Sequence, residues 1–267
     1  MANRFSNLEL TPRTTPAIEG ETTQKKSVGM FGEADRDAAY WLNQATHERR
    51  RGNYEPALRL YSRALELERQ MVEGWVGQVR MLIALGEFPE ADLWARKALE
   101  LFRNHPDLLA GRAQALCRQG DTKQAMANSD AALAQPGQSS FSWLSRGEVM
   151  LASRQNTADY CFEKAAQIDR DWLTHLEIGD VYQFYGRPAK ALRCMTTAVE
   201  MASDEVVCWY RRGECELAMG MTAPAKRSFE TCLQLLPGHA DARQALIGLA
   251  SSRKPVRNWL KRLLRRR

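Results

Sequence analysis

The side chains of this sequence that could bind a metal or act as nucleophiles are its six cysteines and four histidines. No two cysteines form a C-x-x-C pair, and the histidines lie far apart in the sequence. Zinc sites need closely spaced ligand pairs, so these spacings match none of them. Free cysteine more often packs as a small hydrophobic residue. We therefore expect reduced, structural thiols, with no metal and no cofactor.

Basic side chains, which could bind an anionic surface, are concentrated in one short segment. Residues 253–267 hold eight of the 38 Lys and Arg residues and no acid, while the whole chain has 32 acidic residues. The rest of the chain therefore carries a small net negative charge. A nucleic-acid-binding fold spreads basic charge over its surface. The composition thus does not favour nucleic acid as a partner.

The same basic segment has the pattern of an amphipathic helix. Its apolar residues follow the spacing i, i+3, i+4, i+7 and i+8 from Val256, which puts them on one helical face. The predicted contact helix contains Trp259, Leu260, Lys261, Arg262, Leu263, Leu264 and Arg265. Such a helix can lie in an anionic membrane interface, with tryptophan at the level of the headgroups. The pattern is also compatible with a helix that contacts an acidic partner or nucleic acid, folds back on its own chain, or stays solvated.

An internal repeat determines how the rest of the chain is organised. Pairs of small residues with the spacing A-x6-A recur at steps of 34, 34, 33, 33 and 34 residues. The pairs are Ala57/Ala64, Ala91/Ala98, Ala125/Ala132, Ala158/Ala165, Ala191/Ala198 and Ala225/Cys232. Glycine recurs with the same step at Gly52, Gly86, Gly120, Gly186 and Gly220, and Ser153 takes its place in the fourth unit.

The period of this repeat predicts a pair of helices in each unit. The A-x6-A spacing puts two small side chains about two turns apart on one helix face, where they let a second helix approach closely. The glycine, which tolerates the left-handed conformation of a helix stop, marks the end of the first helix. Because neither helix can bury its apolar stripe alone, neighbouring units must stack.

These units resemble the tetratricopeptide repeat, whose signature W-x2-L-G-x2-Y…A-x3-F…P spans 34 residues. The matches are Trp41, Trp75, Trp143 and Trp209 at the aromatic position, Gly147, Gly179 and Gly213 four residues later, Tyr182, the pairs Ala57/Tyr61, Ala158/Phe162 and Ala225/Phe229, and Pro237. The sequence departs from the signature at the leucine, which is glutamine or arginine in five units, and the fourth unit has lost two residues. The resemblance covers residues 38–239.

The resemblance implies an all-α fold, a right-handed α-solenoid of helix-turn-helix repeats with a C-terminal capping helix. We expect a disordered tail at residues 1–33, six hairpins plus the capping helix at 34–252, and the basic amphipathic helix at 253–267. The repeats leave no room for a catalytic domain of ordinary size. The sequence also lacks G-x-x-x-x-G-K-[ST], G-x-G-x-x-G, H-E-x-x-H and G-x-S-x-G motifs. We therefore expect no catalytic residues and no enzyme activity.

The resemblance further implies a concave groove, lined by the first helices of successive hairpins, whose ninth positions face a ligand peptide. With its apolar neighbours, the predicted partner-binding groove contains Arg49, Arg80, Gln114, Glu148, Asp180, Glu214, Phe141, Leu144, Leu176 and Tyr210. This groove is expected to be basic at one end and acidic at the other, and to favour a basic peptide. The alternative is that these charges are solvated surface positions. Leu42 and Thr46 stand where family members use Lys and Asn to clamp chaperone tails, which argues against that ligand.

Two functions follow from these patterns. The first is a protein–protein interaction scaffold or adaptor that binds a partner peptide or subunit in the groove. The second is a peripheral membrane assembly factor that is localised by the basic C-terminal helix. Residues 1–10 lack an apolar leader, and no run approaches the roughly 18 apolar residues of a membrane span. We therefore expect a cytoplasmic protein, which the second hypothesis would place at the membrane surface; the patterns make no prediction of oligomeric state.

Overall fold

The computed structural model describes residues 36–251. The predicted N-terminal tail (1–33) and the predicted basic helix (253–267) lie outside the described residues. The described range folds into 13 α-helices and contains no β-strand, so the predicted all-α fold is confirmed. The helices are α1 (Ala38–Arg50), α2 (Tyr54–Leu67), α3 (Val72–Leu85), α4 (Phe88–Leu101), α5 (Pro106–Arg118), α6 (Thr122–Ala134), α7 (Ser140–Ala152), α8 (Ala158–Ile168), α9 (Trp172–Phe184), α10 (Pro188–Met201), α11 (Val206–Ala218), α12 (Thr222–Leu235) and α13 (Ala240–Ser251).

Short polar side chains fix where several of these helices begin. Asp37, Asp121, Ser139 and Asp171 are the N-cap residues of α1, α6, α7 and α9, and each accepts a hydrogen bond from a backbone N–H of the first turn. This bond satisfies a donor that has no partner within the helix. Helices α4, α5 and α10 instead carry proline in the first turn, where the missing N–H is not needed.

The helices pair into hairpins that stack in two layers. Each odd-numbered helix from α1 to α11 packs against the even-numbered helix that follows it, and each one from α1 to α9 also packs against the next odd-numbered helix. Among the described helices, successive even-numbered helices make no comparable contact. The odd-numbered helices therefore form an inner layer and the even-numbered helices an outer layer. This arrangement is a helical-repeat solenoid, and α13 packs on its last hairpin.

Small residues allow the two helices of a hairpin to approach. All twelve members of the A-x6-A pairs are buried. In the fourth hairpin, a Cβ added to Gly147 would lie 2.4 Å from the Phe162 ring, and in the sixth, a Cβ on Gly213 would lie 2.7 Å from the Phe229 ring. The repeat needs a small residue at this position because the aromatic ring of the second helix rests directly on the first helix.

The fourth turn differs from the sequence-based expectation. The five repeated glycines all have positive φ, from 67° at Gly186 to 89° at Gly120. In the fourth unit the residue with positive φ is Arg154 (φ 56°), whereas Ser153 has φ −79°. The expectation that Ser153 replaces the glycine was therefore wrong by one position. A side chain at positive φ is strained, so the turn is formed here at some cost in backbone energy.

The fourth hairpin also makes the weakest joint in the stack. Helix α8 has 11 residues, while the other helices from α1 to α12 have 13 or 14. Among consecutive helices, α8 and α9 form the smallest backbone interface. Side chains still bridge them: the Tyr182 ring lies 4.9 Å from the Phe162 ring, and its hydroxyl donates a 2.5 Å hydrogen bond to Asp159. The regular stacking is therefore interrupted between the fourth and fifth hairpins.

Candidate functional site on the inner face

The inner layer contains a cavity of about 360 Å³ near the start of the solenoid. Helical spacing brings its walls together, because Leu42, Thr46 and Arg49 lie on one face of α1 and Val76 and Arg80 on one face of α3. The lining residues are Leu42, Thr46, Arg49, Tyr61, Val72, Glu73, Val76, Gly77, Arg80, His105 and Asp107. The cavity thus combines an apolar wall with two arginines, a histidine and two carboxylates.

The two cavity arginines share one carboxylate from the far side of the solenoid. Arg49 and Arg80 donate to the two oxygens of Glu177 in α9, at 2.5 Å and 2.6 Å. Burial by itself would raise the pKa of Glu177, but the charges and hydrogen bonds of the two arginines hold it below its usual value. Burial, together with the neighbouring charge of Arg49, lowers the pKa of Arg80. Two cations therefore compete for one partner.

A second ion pair lies beside the first. Arg50 donates to both oxygens of Asp171, at 2.5 Å and 3.1 Å, and its guanidinium lies 4.8 Å from the centre of the Trp172 ring. The hydrogen bond from Arg50 is the main reason why the pKa of Asp171 is lowered. The backbone at Gly52 also lies close to Val207, because a Cβ added to Gly52 would lie 2.9 Å from a methyl group of Val207. The first hairpin is therefore in contact with the fifth and sixth.

The centre of the inner layer holds a fully buried carboxylate. Glu148 is 0% exposed and accepts hydrogen bonds from Gln114 Nε2 (2.6 Å) and from Arg118 Nε (2.6 Å) and Nη2 (3.2 Å). The Arg118 guanidinium also lies against Phe88 and Phe184, 5.6 Å and 4.6 Å from their ring centres, and these two rings contact each other edge to face. Arg118 therefore both neutralises this carboxylate and fills the space between the second and fifth hairpins.

A third cluster joins the last two hairpins. Arg211 donates to Asp180 and to Glu214, each at 2.8 Å. Burial raises the pKa of Asp180, and the neighbouring Glu214 charge acts in the same direction against the effect of Arg211. Here two carboxylates compete for one cation, which is the reverse of the situation at Glu177.

The structure places all the polar residues of the predicted groove in these clusters. Arg49 and Arg80 pair with Glu177, Gln114 and Glu148 bond to each other, and Asp180 and Glu214 pair with Arg211. The inner face therefore does not divide into a basic end and an acidic end. Of the apolar groove residues, Phe141, Leu144 and Leu176 are buried in the core, whereas Tyr210 is half-buried against His239. A binding role for these residues stays a prediction.

Sequence reasoning missed the partners that neutralise these charges. Glu177 lies three residues before Asp180, and Arg211 lies three residues before Glu214, so each shares a helix face with a predicted groove residue. That spacing was a usable signal. By contrast, the pairing of Glu177 with Arg49 depends on a contact between residues 128 positions apart, for which the repeat pattern holds no information.

We expect a larger loss of stability from neutralising Glu177 than from neutralising Asp180. Glu177→Gln leaves two largely buried arginines with no anion and should lower the free energy of unfolding by about 2 kcal/mol. Asp180→Asn leaves Arg211 paired with Glu214 and should cost about 1 kcal/mol or less. Because the pKa of Glu177 is lowered, its contribution is present at neutral pH and is lost as the pH falls through that value.

Urea unfolding at neutral and acidic pH measures both variants. The difference in the free energy of unfolding between the wild type and Glu177→Gln should become smaller as the pH falls towards about 4. A larger loss for Asp180→Asn than for Glu177→Gln at neutral pH would contradict this account of the two clusters.

Within residues 36–251, no group of three or more His, Cys, Asp or Glu side chains lies close enough to hold a metal ion. In the same range, no helix has both the length and the apolar character that are needed to cross a membrane. Burial raises the pKa of the Cys117, Cys208 and Cys215 thiols, which makes them poor nucleophiles.

The fold and this inner face define the chain as a helical-repeat solenoid built from paired helices. Residues 42–107 match the family model described as tetratricopeptide repeat. This match confirms, for that part of the chain, the resemblance that the sequence predicted. A search of the curated proteins found no match.

One solved structure shows the same fold, and two others are similar to this chain at lower TM-scores. A tetratricopeptide repeat protein from Parabacteroides merdae is 18% identical, with 80% of this chain and 84% of that chain covered and a TM-score of 0.50. TTC0263, a tetratricopeptide repeat protein of Thermus thermophilus, is 20% identical, with coverages of 80% and 98% and a TM-score of 0.49. The Cut9–Hcn1 hetero-tetramer of APC/C is 15% identical over 80% of this chain, with a TM-score of 0.48, and this chain spans 43% of the length of the matched chain. At these identities the comparison concerns the fold alone.

Proposed function

We propose that this protein is an interaction scaffold, and that a segment of a partner protein binds in the cavity between α1, α2, α3 and the start of α5. The observation that carries the proposal is the cavity itself, which lies among side chains of the inner layer. Its volume of about 360 Å³ is at the lower end of the range for ligand sites. It therefore suits one or two side chains of a partner and not a long peptide.

The polar groups of the cavity indicate what such a segment would present. Arg49 Nε and His105 Nδ1 are buried without a hydrogen-bond partner among the described residues. Arg49 Nε carries a hydrogen, so a partner that supplies an acceptor there would satisfy a buried donor. Leu42, Val72 and Val76 form the apolar part of the lining. A side chain with an apolar body and an acceptor at its end fits both features.

The basic peptide that the sequence analysis predicted finds less support. It depended on Glu148, Asp180 and Glu214 as free carboxylates facing a ligand. These groups accept hydrogen bonds from Arg118 and Arg211. A basic ligand would have to displace those arginines, and a buried ion pair is costly to break.

Membrane localisation stays a second proposal, because Trp259 and the leucines around it are spaced for one face of a basic helix. Co-sedimentation of the full chain with anionic vesicles tests it, with residues 253–267 deleted as the control. Equal sedimentation of the two proteins would contradict this proposal.

A lysine in the cavity wall tests the scaffold proposal. Val76 lines the cavity and lies in α3, whereas Leu93 is an exposed apolar residue of α4 in the outer layer. A photoreactive residue at position 76 should cross-link a partner that the same residue at position 93 does not cross-link, and this step identifies the partner.

The affinity of the identified partner for the protein should fall about tenfold or more in Val76→Lys, because the lysine fills the cavity. The affinity should not change in Leu93→Lys.

The matched pair separates loss of the site from a general surface effect. A partner that binds the wild type and Val76→Lys equally well, with both proteins folded by circular dichroism, would show that binding takes place elsewhere.

A further inference from the structure

The first hairpin meets the fifth and sixth through contacts that regular stacking does not require. The side-chain pairs Arg49–Glu177 and Arg50–Asp171 join residues 128 and 121 positions apart. Gly52 lies against Val207 in the same region. We call these three pairs, together with Arg80–Glu177, the ring contact. It makes the inner layer a closed ring instead of an open groove.

The ring contact is weaker than the pairs inside the layer. The Glu177 side chain is 25% exposed, and Arg50 and Asp171 are 36% and 27% exposed. Glu148, in contrast, is fully buried. Water and salt screen partly exposed ion pairs, so each contributes less than a fully buried pair does. The ring contact can therefore separate without disrupting the hairpins themselves.

A joint that would permit this separation is present in the chain. The interface between α8 and α9 is the smallest between consecutive helices, and the shortened fourth hairpin precedes it. Rotation at this joint would carry α9 to α13 away from α1, with Tyr182 moving against Phe162 inside the buried cluster that crosses the joint. It would also separate Phe184 from Phe88 and Arg118. Hinges of this kind are a few residues at the ends of elements, and here the backbone contact is smallest.

We propose that the ring contact is a gate, which opens about the α8–α9 joint and controls access to the inner face. The closed ring and its joint do not depend on any partner. That the gate regulates partner binding rests on the proposed function. Residues inside the ring, such as Cys117, become reachable from solvent when the gate opens.

An engineered disulfide between positions 52 and 207 can trap the closed state. A Cβ on Gly52 would lie 3.7 Å from Val207 Cβ, which is close to the separation of a disulfide. The full chain with Gly52→Cys and Val207→Cys should form this disulfide under mild oxidation, as peptide mass spectrometry detects. The matched control combines Gly120→Cys with Val207→Cys. Gly120 has a similar positive φ of 89°, and nothing lies within 4 Å of its added Cβ.

The rate at which this disulfide forms then measures how far the ion pairs stabilise the closed state. Glu177→Gln in the trap background should slow the reaction several-fold, because it weakens the closed state. Asp92→Asn should leave the rate unchanged. Asp92 is also a carboxylate shared by two arginines, Arg96 at 3.2 Å and Arg112 at 3.0 Å, but it joins only the adjacent helices α4 and α5.

Native thiols measure access to the interior without engineered cysteines. Cys117 Sγ lies 3.3 Å from Tyr185 Oη, across the space between α5 and α9. Cys232 is buried within the last hairpin. Glu177→Gln should speed alkylation of Cys117 by iodoacetamide several-fold and leave Cys232 unchanged. Formation of the engineered disulfide should slow the alkylation of Cys117 below its rate in the reduced protein.

Each outcome supports or overturns the gate. Failure of the Gly52/Val207 pair to form a disulfide faster than the Gly120/Val207 control would show that the ring is not closed. Equal trapping rates in Glu177→Gln and Asp92→Asn would show that the ion pairs do not hold it. A parallel rise of Cys117 and Cys232 alkylation would indicate general unfolding and overturn the hinged opening. None of these measurements uses a partner, so failure of the scaffold proposal would leave them intact.

Discussion

Replacing Arg118 with methionine is expected to destabilise the fold by about 3–5 kcal/mol, because the change leaves Glu148 buried without its cation. Glu148 is 0% exposed, and Arg118 supplies two of its three hydrogen bonds. Methionine replaces the aliphatic part of arginine but not the guanidinium, so the loss combines the unpaired charge with the contact to Phe88 and Phe184. The free energy of unfolding in urea measures it.

Two further variants isolate this charge effect. Arg112→Met removes an ion pair with Asp92 that is 25% and 16% exposed on its two sides, and should cost about 1 kcal/mol or less. Adding Glu148→Gln to Arg118→Met should recover much of the loss, since the amide does not leave a buried charge. Similar losses for Arg118→Met and Arg112→Met would refute the view that Glu148 needs its arginine to remain buried.

Replacing Gly77 with alanine should have the second largest effect, a loss of about 1–3 kcal/mol. The added Cβ would lie 2.3 Å from Cε1 of Tyr61 and 2.4 Å from Cζ. Tyr61 is 3% exposed, so its ring has little freedom to move. The gain in helix propensity from glycine to alanine, about 1 kcal/mol, opposes this clash but does not remove it.

Gly248→Ala in α13 is the matched control, because it makes the same chemical change in a helix with nothing within 4 Å of the new Cβ. It should raise stability by about 0.5–1 kcal/mol. Thermal unfolding of the two variants should therefore shift in opposite directions from the wild type. Stabilisation by Gly77→Ala would mean that α2 and α3 can separate without penalty.

The sequence predicted the local structure of the hairpins because the repeat encodes local contacts. The A-x6-A pairs are buried and the repeated glycines adopt positive φ. Gly147 and Gly213 lie under Phe162 and Phe229, which explains why the signature pairs a small residue with a later aromatic. In each case the residues that interact are less than one repeat apart.

The sequence could not predict the closure of the ring for the same reason. The orientation of distant hairpins depends on the small rotation between each pair of neighbouring hairpins, and a period of 34 residues does not specify that rotation. Arg49 could be assigned to a helix face, but not to a contact with Glu177. The two residues missing from the fourth unit predicted an irregularity at its turn. They did not predict that Arg154 would take the left-handed conformation or that α8 and α9 would pack loosely.

The small α8–α9 interface also bears on the cooperativity of folding. In an array of repeats, the coupling between neighbours decides whether they unfold as one unit. The small backbone contact makes this coupling depend on side chains, and one buried cluster with Phe162 and Tyr182 still crosses the joint. The Arg49–Glu177 pair closes a loop of 128 residues, and such distant contacts form late because of their entropy cost. Folding of this protein would thus finish with the closure of the ring.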